Sequence, residues 1–105
     1  YFLSRAVMQW FCGHYLDDKA HGADWRVSPL RANNLAGVAP AVVTTAWFDP
    51  LRDEGKAYAE ALTAAGVAVK YHPGEGLIHG YLRAMEYCDA SRESLARMAR
   101  WLADL

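Results

Sequence analysis

Cysteine is scarce in this 105-residue chain: Cys12 and Cys88 are the only two. Two cannot build a disulfide scaffold. They stand in no C-x-x-C or metal-ligand spacing, so two reduced, part-buried thiols are expected, in keeping with a cytoplasmic location. Charge of one sign is also lacking. Eleven Lys and Arg face twelve Asp and Glu, for a formal net charge of −1. A basic footprint for nucleic acid is absent, and no run of like charge forms a tail. The uncharged stretch Asn33–Phe48 holds Pro40 and falls short of the roughly 20 residues that cross a bilayer, so no membrane span is expected. His14, His21 and His72 show no H-E-x-x-H or paired-ligand spacing, and no glycine-rich phosphate loop is present. No metal or cofactor is therefore expected. The serines are Ser4, Ser28, Ser91 and Ser94, and none lies in G-x-S-x-G.

What is present is ordinary globular material, 53% hydrophobic and 22% charged, enough for one modest core. Leu3, Val7, Trp10, Phe11 and His14 recur at helical spacing, which predicts a helix over about Ser4–Leu16 with Ser4 as cap. Asp17–Asn34 is polar, punctuated by Gly22 and Pro29, and reads as loop. Ala41–Ala46 is apolar and β-branched without alternation, the mark of a strand covered on both faces in a parallel sheet. Asp49-Pro50 opens a helix whose stripe is Ala57, Tyr58, Ala61, Leu62 and Ala65, and Gly66 stands where a left-handed cap is favoured. Val67–His72 is a second strand, and Pro73–Gly80 is a glycine-rich loop. A last helix, capped by Asp89 or Ser91, has Leu95, Met98, Ala99, Leu102 and Leu105 as its expected buried stripe. Helix, strand, helix, strand, helix is an α/β order with a parallel crossover. Two strands alone make a poor sheet, so more sheet is expected beside them.

In open α/β sheets, functional groups collect at the carboxyl ends of the strands. Asp49 follows the first strand and His79 lies in the loop after the second. A carboxylate that accepts the Nδ1 proton of an imidazole fixes its tautomer and leaves Nε2 free as a general base. Competing readings exist for both residues. Asp49 before Pro50 has the pattern of a helix N-cap followed by proline, and a lone loop histidine is often merely solvated or packed. Asp53 and Glu54 suit the first turn of a helix by its dipole. Trp10, Trp25, Trp47 and Trp101 read as core or rim.

Phe48-Asp49-Pro50-Leu51-Arg52-Asp53-Glu54-Gly55, followed by Tyr58-Ala59, resembles the DPLRDEG segment of hormone-sensitive-lipase-like esterases, which are α/β-hydrolases. Gly76-Leu77-Ile78-His79-Gly80-Tyr81 is similar to their IHGF segment, with Tyr81 where the family usually has Phe. Ser28-Pro29-Leu30 and Gly37–Ala41 resemble the family's approach to its penultimate strand, and Trp47 is a less usual neighbour of the motif. The resemblance implies that Asp49 is the acid and His79 the base of a Ser-Asp-His triad. The serine comes first in the chain order of these enzymes. Its elbow and the HGGG-type oxyanion loop are thus expected upstream, and residues 1–105 are expected to be the C-terminal part of one α/β-hydrolase domain. The implied activity is hydrolysis of short-chain acyl esters, with the 105 residues inactive by themselves. An amide or acyl-peptide hydrolase would use the same pair. A different class of function is a non-catalytic binding or homodimerisation module acting through the edge strand Val67–His72 and the last helix.

Overall fold

The computed structural model describes residues 2–105. Helix α1 (Arg5–Tyr15) starts where expected: Ser4 Oγ accepts a hydrogen bond from the Val7 N–H at 3.3 Å. The polar stretch after it folds into two short 3-10 turns, Lys19–Ala23 and Pro29–Arg31, rather than plain loop. Local side-chain bonds make the first of these, with Asp18 accepting from the Ala20 N–H at 2.9 Å. Strand β1 (Ala41–Thr44) leads to α2 (Arg52–Ala64), then β2 (Val69–His72), a 3-10 turn (Tyr81–Ala84) and α3 (Asp89–Ala103). Gly66 ends α2 at φ 83°, as its position predicted. β1 and β2 pair in parallel, from Ala41 opposite Val69 to Thr44 opposite His72.

Successive residues of a strand face opposite sides of a sheet. Thr45 meets Gly55 of α2, whereas Thr44 reaches Ser94 of α3 through the Tyr81 hydroxyl. The two helices therefore lie on opposite faces of the strand pair. On the α3 face, His72 meets the Trp101 ring edge-on at 6.4 Å and Lys70 pairs with Asp104 at 3.3 Å. The strand expected to be covered on both faces thus has a helix on each, though every residue of β1 stays half-buried. Ala59 and Leu62 of α2 and Ala46, Val67, Leu77 and Tyr81 form the buried apolar set.

Of the stripe expected to bury α3, only Met98 is even half-buried. The buried residues of the helix are Ser91 and Ser94, while Leu95, Leu102 and Leu105 are 40%, 61% and 45% exposed. Small hydroxyl residues let α3 sit close on the sheet and on Tyr81, and the leucines point elsewhere. Helix α1 buries none of its residues, and its Trp10 and Phe11 are exposed. A compact chain of this mass exposes about 5,900 Å² and has a radius of gyration of about 13 Å. This one exposes 7600 Å² and has a radius of 15.1 Å. Large apolar side chains contribute to that surface, on α1 and α3 (Trp10, Phe11, Leu102) and also on the loops (Trp25, Trp47, Tyr87). No helix among the described residues is long and apolar enough to cross a membrane.

Candidate active site

Backbone pairing continues past the two strands and builds the site. Thr45 donates to His72 at 3.0 Å, Trp47 to Gly74 at 3.1 Å and Phe48 to Leu77 at 3.0 Å. The last contact closes an isolated parallel bridge between Phe48 and Ile78. Asp49 and His79 each follow a member of that bridge, so the chain delivers them side by side. Between Thr44 and Phe48 the first strand uses fewer residues than the second uses between His72 and Ile78. The second absorbs the difference in turns at Gly74 and Gly76. Gly74 is required there twice over: its φ is 57°, and a Cβ would lie 2.2 Å from the Thr45 carbonyl oxygen.

His79 Nδ1 and Asp49 Oδ2 are 2.8 Å apart. An ionised carboxylate only accepts, so Nδ1 carries the proton and Nε2 is left free. The Asp49 side chain is 10% exposed and that of His79 36%. The carboxylate is thus largely withdrawn from water while the ring keeps a face open. The other carboxylate oxygen, Oδ1, accepts from the Leu51 N–H at 2.9 Å. Both readings of Asp49 therefore hold at once: Oδ1 and the backbone carbonyl make the bonds of a helix cap to Leu51 and Arg52, while Oδ2 holds His79, although the regular helix begins at Arg52. Asp53 and Glu54 occupy the first turn of α2, as the helix dipole favours.

Arg52 braces the same turn. Its guanidinium lies over the Trp47 ring at 5.1 Å, and Nη1 donates to the Trp47 carbonyl at 3.1 Å. A cleft of about 510 Å³ opens beside His79, lined by Phe2, Ile78, Tyr81, Tyr87 and Cys88 among others. The Ser91 hydroxyl beside Cys88 holds that thiol below its ordinary value, with the Ser91 backbone N–H adding to the effect. Both cysteines are free thiols, Cys12 exposed and Cys88 half-buried. No group of three or more His, Cys, Asp or Glu among the described residues is placed to hold a metal ion.

Sequence reasoning missed the hydroxyl contacts around this pair. The Thr45 hydroxyl meets the Tyr71 hydroxyl at 2.8 Å, and the Tyr81 hydroxyl meets Thr44 Oγ1 at 2.9 Å and Ser94 Oγ at 3.0 Å. The available signal was slight: Thr44 and Thr45 stand in a run read as an apolar strand, whereas Ser91 and Ser94 lie outside the stripe that periodicity marked on the last helix.

Parallel strands flanked by helices, with a hydrogen-bonded acid and histidine beyond their carboxyl ends, are an arrangement characteristic of α/β-hydrolases. The chain belongs to the α/β-hydrolase-fold family, whose pattern its residues 1–83 match. It is 46% identical to the carboxylic ester hydrolase LipN of Mycobacterium tuberculosis over 82% of this chain and 23% of LipN. It is 34% identical to an ethyl acetate hydrolase of Pseudomonas putida over 97% of this chain and 32% of that enzyme. A thermostable esterase from Pseudomonas putida ECU1011 superposes with a TM-score of 0.86 at 41% identity, covering 91% of this chain and 31% of that one. The chain thus spans between about a quarter and a third of the length of these relatives. The resemblance drawn from the DPLRDEG and IHG segments is borne out.

Proposed function

We propose that this chain supplies the acid and the base of a serine carboxylesterase acting on short-chain acyl esters, and that the rest of such a domain supplies the nucleophile. The observation that carries the reading is the 2.8 Å contact between Asp49 Oδ2 and His79 Nδ1 at the carboxyl ends of two parallel strands. Relatives described as carboxylesterases and esterases support the reaction class. The uncovered apolar faces of α1 and α3 support a larger domain, since buried they would complete a core.

In this reading His79 Nε2 removes the proton of a serine hydroxyl as its oxygen attacks the ester carbonyl. Asp49 holds the ring in the Nδ1–H tautomer and stabilises the imidazolium that forms. The tetrahedral intermediate collapses, and His79 gives the proton to the departing alcohol. Water, deprotonated by the same Nε2, then releases the acid from the acyl-enzyme.

The test is hydrolysis of short-chain p-nitrophenyl esters by the protein carrying a G-x-S-x-G elbow. His79→Ala is expected to abolish turnover with the circular dichroism spectrum unchanged. Asp49→Asn should lower kcat on the order of 10⁴-fold, because the ring then takes the wrong tautomer. Unchanged activity in either variant overturns the assignment. The 105 residues alone are expected to give no turnover, and turnover by them that Asp49→Asn removes would refute the division of the triad.

A further inference from the structure

Tyr81 stands two residues beyond His79, where the resembling enzymes usually carry Phe. Tyr81 is 8% exposed and belongs to the core with Ala46 and Leu77. A phenyl ring would fill that space equally well, so packing does not explain the hydroxyl. What the hydroxyl does is join three elements. It meets Thr44 Oγ1 at 2.9 Å and Ser94 Oγ at 3.0 Å, the latter in a contact closed to water.

The backbone around His79 gives this contact its meaning. The Tyr81 N–H donates to the Ile78 carbonyl at 3.1 Å, closing a turn with His79 and Gly80 at its centre. Gly80 has φ 76° and ψ 12°, the values of the third residue of a type II turn. His79 therefore rides on a two-residue arch with two footings. Ile78, the first footing, is bridged to Phe48. Tyr81, the second, is tied by its phenol to Thr44. Thr44 and Phe48 both lie in the stretch that leads into Asp49, so both footings of the histidine arch rest on the segment that carries its carboxylate partner.

We propose that Tyr81 is a positioning residue for His79: its hydroxyl, held between Thr44 and Ser94, fixes the second footing of the arch and with it the aim of the imidazole. The inference rests on the esterase reading only for its kinetic consequence. Reactive geometry is sensitive to small displacements, so a loosened arch lowers the chemical step without altering how the ester binds.

The experiment compares Tyr81→Phe, Ser94→Ala and their double variant with Tyr71→Phe in the protein carrying the elbow. The Tyr71 variant loses a hydroxyl contact of the same kind, to Thr45, on the opposite face of the sheet. Tyr81→Phe removes two hydroxyl contacts and is expected to lower kcat for a short-chain ester roughly tenfold, with KM unchanged. The double variant should be no worse than Tyr81→Phe, because that substitution already removes the contact to Ser94 along with the one to Thr44. Tyr71→Phe should leave kcat within about twofold. The second readout is the His79 Nδ1–H proton resonance. It is expected to be sharp in the parent protein and in Tyr71→Phe, and broadened by solvent exchange in Tyr81→Phe and Ser94→Ala. If the parent protein has no ester turnover, the esterase reading fails, and this resonance still decides the positioning role. A Tyr81→Phe protein with unchanged kcat and an unchanged resonance overturns the proposal, whatever its melting temperature. Should Tyr81→Phe not fold, Ser94→Ala, which frees the phenol from one of its two partners, must still broaden the resonance, and an unchanged resonance there overturns the proposal.

Discussion

Gly74→Ala is the substitution to which the path between β2 and His79 is most sensitive. A Cβ at Gly74 would stand 2.2 Å from Thr45 O, 3.2 Å from Thr45 C and 3.3 Å from Ala46 Cα. Those atoms are backbone and cannot rotate aside, so the loop must retreat by roughly 1 Å to reach ordinary contact. Gly74 also has φ 57°, which costs a residue with a Cβ roughly 1–2 kcal/mol. Retreat weakens the bonds from the Trp47 N–H to Gly74 O and from the Phe48 N–H to Leu77 O, each worth about 0.5–1.5 kcal/mol net. The expected loss is therefore about 2–5 kcal/mol. Gly76→Ala is the control. Its φ is 75° but nothing lies within 4 Å of its Cβ, so it should lose only the roughly 1–2 kcal/mol of the left-handed conformation. Alanine stiffens the unfolded chain equally at both positions, so that effect cancels in the difference. Urea unfolding of the two variants, with m unchanged, should show Gly74→Ala less stable by about 1–3 kcal/mol. Equal losses would refute the argument that close backbone approach, rather than handedness alone, fixes glycine at this position.

Other perturbations give separate checks. Leu62 is 1% exposed, so Leu62→Ala should cost about 2–5 kcal/mol. Leu102→Ala in the same 105-residue chain should stay within about 0.5 kcal/mol, because Leu102 is 61% exposed. Comparable losses in urea unfolding would contradict the observed orientation of α3. Burial holds the His72 imidazole below its ordinary value; Arg97 adds to the effect and Glu75 opposes it. The folded state therefore binds the proton less well than the unfolded chain, so stability from this group is present above about pH 6.5 and is lost as pH falls through its lower folded value. Unfolding midpoints at pH 7.5 and 5.5 should differ less in His72→Gln than in the parent, and an identical difference would rule His72 out as a source.

The sequence by itself determined the local frame and the identity of the central pair. Ser4 caps α1, Gly66 ends α2, and the apolar runs at 41–46 and 67–72 contain the two strands. Each follows from short-range chemistry: a hydroxyl within reach of a free N–H, a residue tolerant of positive φ, or β-branched side chains on a pleat. The family resemblance of the segments around Asp49 and His79 singled out residues that the bare spacing left divided between cap, loop and site. Tertiary structure decided what spacing cannot carry. Periodicity says that Leu95, Leu102 and Leu105 share a face of α3 but not that the sheet receives Ser91 and Ser94 instead. Which Asp49 oxygen turns the chain and which holds His79 depends on a bridge between Phe48 and Ile78, formed by residues far apart in sequence. The Tyr81 hydroxyl looks like a spare atom on an aromatic ring until the fold brings Thr44 and Ser94 to it. Hydrogen bonds between distant segments are set by the path of the backbone, and that path is fixed only when the strands, turns and helices close on one another.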